Sequence, residues 1–411
     1  MVLIPEMPAV GRGFISRLEK YTFDNPAWTI PKDKSSRRVS IVSSAAISRR
    51  GDKPFSWLAN NHRVIEKDNL DLVMTHVAVE YDRTAWQQDI NTILPIDRLE
   101  ELAKNGEIGS VSNEHYSFIG SSDPIKMERS AKEVAERMKD DAVDTVFLVP
   151  VWPFCTRAVS VLAHFFESYG FSTVLVGFVK EHIEAIQPPR ALWLDFPMGR
   201  PLGKPNDPEY QKKIIRSAFD LFNERSGPVL KDFPDIIPVK DGRMGYALPV
   251  ELVLKKNEIG DINKLVKEVN DEINALKEDY EIAVSSRKRT TVGASEMQVS
   301  EFTNYISEFV RGNIPPSPRK GIGPIPQLKL VVEDLQAFYT ETITYRDKVD
   351  DFEYLGTWFW EKTKAGRLIL CLEAVSLESD NKILKQIVDM SLITPRFWSE
   401  GPLPGTSGSG W

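Results

Sequence analysis

Two cysteines occur in this chain of 411 residues, and one of them, Cys155, stands where an apolar run turns into a helix. The run is Val146, Phe147, Leu148, Val149 and Val151, punctuated by Pro150 and Pro153. After it Val159, Leu162, Phe165, Phe166 and Tyr169 recur at helical spacing, Gly170 closes the helix, and STVLVGF begins the next strand. This pattern predicts a βαβ unit with Cys155 in the first turn of its helix. Free backbone N–H groups and the positive end of the helix dipole favour thiolate there, so a reactive thiol with an apparent pKa below about 8.5 is expected. The alternative makes Cys155 a small buried hydrophobe. Arg190, Arg200 and Lys204 fall in the Pro/Gly-rich run after this unit. They are candidates to hold a carboxylate, for which the guanidinium fork is best suited, or else to tie the loop to the surface.

The elements that must position this thiol are legible as strands separated by helices. VSIVSSAAI reads as a first strand, and LDLVMTH as another that ends on His76, where an imidazole titrates near neutrality. IDRLEELAKNG is a short helix, RSAKEVAERMKDD places Ala131, Val134, Ala135 and Met138 on one face, and a further helix runs from Asp207-Pro208 to Arg225. Such alternation implies a parallel sheet with ligands at the carboxyl ends of its strands. The expected fold class is α/β, a parallel-sheet βαβ core with an additional helical C-terminal domain. The expected divisions are an N-terminal extension over 1–34 with a short amphipathic helix around Phe14 to Tyr21, a core over 35–254, a helical segment over 255–311, a Pro/Gly linker over 312–326, a helical region over 327–398 and a tail over 399–411. The helical segment carries Ile262, Leu265, Val266, Val269, Ile273, Leu276 and Tyr280 at helical intervals, as a surface helix packing inward would. Tyr339, Tyr345, Tyr354, Trp358, Phe359 and Trp360 give the last helical region an aromatic density that suits core, interface or pocket.

Composition narrows the function classes. A net charge of −7 with interspersed acids and bases argues against a nucleic-acid binder, and the basic cluster Ser286-Arg287-Lys288-Arg289 reads as a solvated loop. No apolar run reaches the length needed to span a bilayer and no signal-peptide core is present, so no membrane association is expected and the chain should be cytoplasmic. Cys371 lies within GRLILCLEAV, an expected buried helix, which makes a disulfide with Cys155 improbable. Five scattered histidines without CxxC or HxxxH give no metal signature.

Several long blocks carry a family resemblance. VPVWPFC, followed by PPRALWLDFPMGRPLGKPNDPEYQKKIIRSAFDL, and upstream RRVSIVSSAAISRRGDKPF, THVAVEYDRTAWQQDINTILPIDRLEELAKNGEIG and HYSFIG, stand in the order of the selenoprotein B family of glycine, sarcosine, betaine and D-proline reductases, which the chain resembles over about half its length. In that family selenocysteine or cysteine stands three residues before a second cysteine. Here the first position is Trp152, one base from a selenocysteine codon, and an indole cannot be a chalcogen nucleophile. A second departure is Ala45-Ala46, where the family pattern has a glycine pair; two methyl groups would narrow any anion cradle formed by this backbone.

The resemblance also directs attention to His76, Asp82, Asp89, Asn91, His115, Tyr116 and Ser117. His76 would serve as acid or base. Asp89 and Asn91, two apart, would face one side of an extended segment and grip an amine or hydroxyl, or else Asp89 caps a local turn. The expected active site joins Cys155, His76 and Asp89 as catalytic residues with Trp152, Asp82, Asn91, His115, Tyr116, Ser117, Arg190 and Arg200 around the substrate. The resemblance implies reductive C–N cleavage of a small amino acid or amine, with a pyruvoyl-type partner subunit and an external thiol carrier as reductant, and no tightly bound cofactor. A homo-oligomer is expected. A repurposed non-reductive lyase or biosynthetic tailoring enzyme with Trp152 in its pocket, and a non-catalytic scaffold, are the alternatives.

Overall fold

Residues 21–24, 26–79, 81–237 and 252–393 are described by the computed structural model. The amphipathic helix expected around Phe14 to Tyr21 lies, apart from Tyr21, outside the described residues, as does the tail over 399–411. Residues 145–177 form the expected βαβ unit. Strand β7 (Thr145–Val149) is buried throughout, Trp152 is the extended N-cap of a helix that begins at Pro153 and ends at Ser168, and Gly170 follows at φ +94° before strand β8 (Ser172–Gly177). Proline at the first helical position has no N–H to leave unsatisfied, which fixes the start of this helix and with it the place of Cys155.

The remaining core strands are β1 (Arg38–Ser43), β2 (Ile47–Arg49), β3 (Arg63–Glu66), β4 (Leu72–Met74), β5 (Ser110–Val111), β6 (Glu114–Ser117), β9 (Arg190–Asp195) and β10 (Val229–Ile236). The main sheet runs β10-β9-β8-β7-β1-β6-β3, with β5 also on β1; every pairing is parallel except β3 with β6. Side chains alternate between two covered faces. Val39, Ile41, Phe147 and Val149 enter one apolar cluster, while Val42, Val146 and Leu148 enter the other. That double burial is why the strands read as continuous apolar runs.

Two expectations need correction. The segment VSIVSSAAI is not one strand: β1 stops at Ser43, and β2 pairs separately and antiparallel with β4. The break falls at Ala46, which takes φ +52°, while its N–H donates to the Phe118 carbonyl and its own carbonyl accepts from the Thr75 N–H. The helix after Asp207-Pro208 is α-helical only from Pro208 to Phe219, and a 3-10 turn over Asp220–Asn223 leads into β10, a strand absent from the sequence reading.

Between Ile262 and Ser391 the elements are all helices: α7 (Ile262–Arg287), α8 (Val299–Val310), α9 (Pro324–Arg346), α10 (Phe352–Lys362), α11 (Lys364–Leu377) and α12 (Lys382–Ser391). For consistent numbering the core helices are α1 (Thr84–Gln88), α2 (Ile96–Lys104), α3 (Glu128–Asp140), α4 (Pro153–Ser168), α5 (Lys180–Ile186) and α6 (Pro208–Phe219). Leu265, Val269 and Ile273 of α7 pack with Phe302, Ile306, Val331, Leu335, Phe359 and Leu368 in one core, so the buried face of α7 meets the later helices. Tyr339, Phe359, Trp360 and Cys371 are buried in this same core. Helix α9 is buried along most of its length because it also lies against α1 and the segment around His76, joining the helical part to the sheet.

Candidate active site

The chain leaves β1 for β5 and β6 on one side and later crosses to β7 on the other, so the carboxyl end of β1 is a topological switch point, where crevices form in such sheets. Cys155 sits there. Its Sγ is 3.3 Å from the Ser44 carbonyl, just past β1, and 3.5 Å from Nε2 of His76, just past β4. Backbone groups of Val151, Trp152 and Gly120 also hydrogen-bond the sulfur in the sense that favours thiolate. Gly120 follows β6 at such close range that a Cβ there would stand 2.6 Å from both Cα and Sγ of Cys155. Only glycine fits this approach.

The protonation pattern follows from the hydrogen bonds. Nδ1 of His76 accepts from the Ala78 N–H at 3.1 Å, so a neutral ring carries its proton on Nε2 and points it at the sulfur, while the thiol proton is directed to the Ser44 carbonyl. Both groups are fully buried. Burial pushes the Cys155 thiol up to about 11 and, with the nearby charges of Arg83 and Lys329, holds His76 well below its usual value. The low thiol pKa expected from the helix N-terminus is therefore overturned, because desolvation of the thiolate outweighs the N–H groups and dipole around it.

Trp152 shares this edge. Its ring stacks on Phe154 at 4.3 Å and meets His76 and Trp57 edge-on at 5.5 and 6.5 Å. His76 is fixed from behind as well: its carbonyl accepts from Arg83 and from Nζ of Lys329, and both cations pair with Oε1 of Glu333. Arg83 belongs to the core, whereas Lys329 and Glu333 come from α9 and so bring the helical domain to the site.

The other sequence candidates are placed elsewhere or are engaged with one another. Asp82 and Arg200 form a buried ion pair; Asp82 also accepts from the N–H and hydroxyl of Thr84, and Arg200 reaches Asp350. Their loop lies beside the site, since the Gly199 N–H donates to the Val151 carbonyl. Asp89 and Asn91 do not grip a ligand side by side. Asp89 accepts from the N–H and side chain of Asn91, from the Asn206 N–H and from Gln211, while Asn91 is bonded to Asp97. A spacing of two here makes an Asx turn. His115 is within the sheet, its Nδ1 accepting from the Ile41 N–H, with its pKa lowered by burial to about 3. Tyr116 donates to Glu114 from the opposite face, and Ser117 Oγ accepts from the Ile47 N–H, pinning the backbone after Ala46. Arg190 is at the wrong end: it pairs, fully buried, with Glu167, which is twelve residues down α4 from Cys155, or about 18 Å along the helix.

The structure thus brings His76 and Trp152 to Cys155, with Asp82 and Arg200 alongside. Ser44, Gly120, Arg83, Lys329 and Glu333 were not foreseen. Gly120 ends HYSFIG at a strand terminus, a recognisable signal for close backbone approach, but nothing local announces that α9 reaches His76. Ser44 Oγ is buried outside ordinary hydrogen-bond geometry, yet its hydroxyl is the largest of the contacts that favour the Cys155 thiolate. Among the described residues no group of three or more His, Cys, Asp or Glu side chains could hold a metal ion, and no helix is long and apolar enough to cross a membrane.

Residues 40–151 match the glycine/sarcosine/betaine reductase selenoprotein B family. D-proline reductase subunit gamma from Acetoanaerobium sticklandii is 30% identical over 199 residues, covering 47% of this chain and 81% of that protein. Glycine reductase complex component B subunit gamma from Symbiobacterium thermophilum is 30% identical over 152 residues, 35% of each chain. Betaine reductase complex component B subunit beta from Peptoclostridium acidaminophilum is 33% identical over 95 residues, 23% of this chain and 22% of that one. The chain therefore spans most of the first relative but well under half of the other two. No solved structure matches it.

Proposed function

The chain belongs to the glycine/sarcosine/betaine reductase selenoprotein B family, and we propose that it is a component of an enzyme acting on a small amino acid or amine, with Cys155 as the thiol that meets the substrate and His76 as its hydrogen-bond partner. The observation that carries this reading is the 3.5 Å contact between Cys155 Sγ and His76 Nε2 at the switch point of the sheet. A thiolate formed there is met by the Nε2 proton and by backbone N–H groups, donors that a developing negative charge on sulfur requires, against the one opposing carbonyl of Ser44. In the reductive version the thiolate attacks the carbon bearing nitrogen, a C–S bond forms as C–N breaks, and the amine leaves with a proton. One thiol of an external dithiol then attacks the thioether sulfur, the C–S bond breaks with its electron pair leaving on carbon to take up a proton, and the second thiol resolves the mixed disulfide, which regenerates the Cys155 thiol and releases the carrier as a disulfide. With Trp152 in place of the first chalcogen no second thiol stands beside Cys155, so this version requires a dithiol carrier, and the family resemblance adds a pyruvoyl-type partner subunit.

Trp152 also favours a second reading. Stacked on Phe154 and set against His76, it fills the place of the first chalcogen and suits a pocket wall, as in a non-reductive lyase or tailoring enzyme. One assay separates these readings: amine release from a panel of small amino acids and amines, with and without dithiol and partner subunits, for the natural chain, Cys155→Ser and Trp152→Cys. Release that needs both Cys155 and dithiol supports the reductive version, and Trp152→Cys should then lessen the need for added dithiol. Release that needs Cys155 alone supports the second reading. Release unaffected by Cys155→Ser overturns the role given to Cys155 in both readings, and no release from the natural chain under any of these conditions leaves a scaffold.

A further inference from the structure

Cys155 and His76 are fully buried, and Trp152 and Phe154 beside them are nearly so; nothing reaches the sulfur unless a part of the molecule moves. The connection between β2 and β3, from Arg50 to His62, holds no helix or strand. Connections of this length without structure of their own are uncommon in compact domains and are often lids. Trp57, partly buried, meets the Trp152 ring edge-on at 6.5 Å. Phe55 clusters with Ala46, Val77 and Ile119, and Trp57 and Ala59 pack against that cluster. Ala46, Val77 and Ile119 stand within two positions of Ser44, His76 and Gly120, three of the groups at the Cys155 sulfur, so this connection roofs the strand ends that build the site. Its two ends are fastened. The Phe55 N–H donates to the Thr75 hydroxyl, Arg63 lies over the Phe55 ring and donates to the Lys53 carbonyl, and His62 is bonded to Ser130. Its middle is held lightly: among the described residues, the stretch from Ser56 to Asn61 makes one hydrogen bond to the rest of the chain, from the Ser121 hydroxyl to the Trp57 carbonyl at 2.7 Å, while the Ala59 N–H returns to Ser56. Leu58 at the turn is 76% exposed, so lifting the turn uncovers little beyond Trp57 itself. Few buried contacts and few tethering hydrogen bonds are what make local opening cheap.

We propose that the turn carrying Trp57 is the gate to Cys155. It swings between the fixed points Phe55 and His62, lifting Trp57 off Trp152 and releasing the Ser121 tether. Open, it lets a small molecule pass to the sulfur; closed, it keeps water from a thiol whose charged form is met by fixed donors. What the gate is for rests on the reading of Cys155 as the thiol that meets the substrate. Its existence does not, because access to the sulfur can be measured on the thiol alone.

Labelling of the full-length chain in a Cys371→Ser background tests this without any substrate. Iodoacetamide at about pH 9, followed by mass spectrometry, reads how often the sulfur is reached. Trp57→Ala should raise the labelling rate by about tenfold or more, and Ser121→Ala, which removes the tether alone, by about threefold or more. Each rate should be nearly unchanged by urea well below the unfolding transition, as the opening of one loop rather than of the whole fold requires. Arg190→Met, at the far end of α4, should leave the rate within about twofold although it weakens the fold. Ser121→Ala keeps the test alive if Trp57→Ala does not fold. Rates within about twofold of the natural chain for both loop variants, or rates that climb with urea and climb with Arg190→Met as much as with Trp57→Ala, overturn the gate and leave the role of Cys155 in amine release untouched. Amine release indifferent to Cys155→Ser, with labelling that still answers to Trp57, removes that role and leaves the gate standing.

Discussion

Helix α4 carries a buried polar group near each end, and the two are treated in opposite ways. At its carboxyl end Glu167 is saturated: Arg190, the Thr173 N–H and hydroxyl, and the Thr29 N–H all donate to it, and Trp28 covers the guanidinium at 3.7 Å. At its amino end Cys155 and His76 share one long contact, and their charged forms are both disfavoured by burial. A charge matched by four donors holds the fold together, whereas a neutral pair with donors on hand is poised for a charge that only a reaction would create. This contrast separates Arg190 from the active site more firmly than its position in sequence could.

Acid should expose the difference most strongly. His76, His115 and His182 are buried with pKa values lowered from 6.5, His115 to about 3 and His182 to about 4. Below 6.5 the unfolded chain takes up protons that the folded chain refuses, so stability is full above that pH and falls as pH drops toward 4. Three histidine protons at about 1.4 kcal/mol each, less the one that Asp334, with its carboxyl raised by burial to about 6, takes up in the folded state, give a loss of about 3 kcal/mol per pH unit in that window. Denaturant titrations at pH 7, 6 and 5 measure the slope, and a flat profile would remove the claim that these rings are buried neutral.

At the other end of the helix, Arg190→Met leaves Glu167 charged and buried without its cation. The expected cost is about 3–5 kcal/mol, and Glu167→Gln in the same background should recover part of it. Double-mutant denaturation supplies the numbers. A loss below 1 kcal/mol would mean that the saturated end is no more structural than the reactive one.

The smallest effect concerns the loop between them. Ala46 holds φ +52°, a left-handed conformation that an alanine adopts at a cost of about 1–2 kcal/mol, so Ala46→Gly should stabilise the chain by about 1 kcal/mol before the extra freedom of the unfolded glycine is subtracted. Thermal melts read this. Destabilisation instead would mean that the methyl group packs usefully beside the site.

What the sequence disclosed, and what it concealed, divides along the same line. Residues 145–177 announce a βαβ unit because local patterning dictates it: an apolar run, Pro153 at the helix start and Gly170 at its end. The parallel sheet and the helical carboxyl-terminal part follow from alternation and periodicity. His76 reached the candidate set only through the family resemblance, since its neighbours Ser44, Gly120 and Lys329 are distant in sequence. The Asp89 and Asn91 pair misled because a spacing of two suits both a strand face and an Asx turn, and the turn won once Gln211 and Asp97 supplied partners. Arg190 misled for another reason: 23 residues separate it from Glu167, the partner that only the fold brings to it. The thiol pKa was misjudged because dipole and N–H groups are visible in sequence, while full desolvation is a property of the whole fold.

The account turns on that last point, and the pH dependence of Cys155 alkylation tests it most directly. In a Cys371→Ser background, iodoacetamide labelling of the native chain followed by mass spectrometry should be slow at pH 7 to 8 and rise with an apparent pKa near about 11, as a buried thiol beside a neutral His76 requires. Rapid labelling with an apparent pKa below about 8.5 would show that the helix N-terminus governs this cysteine after all, and would contradict the neutral thiol and imidazole pair on which the site is built.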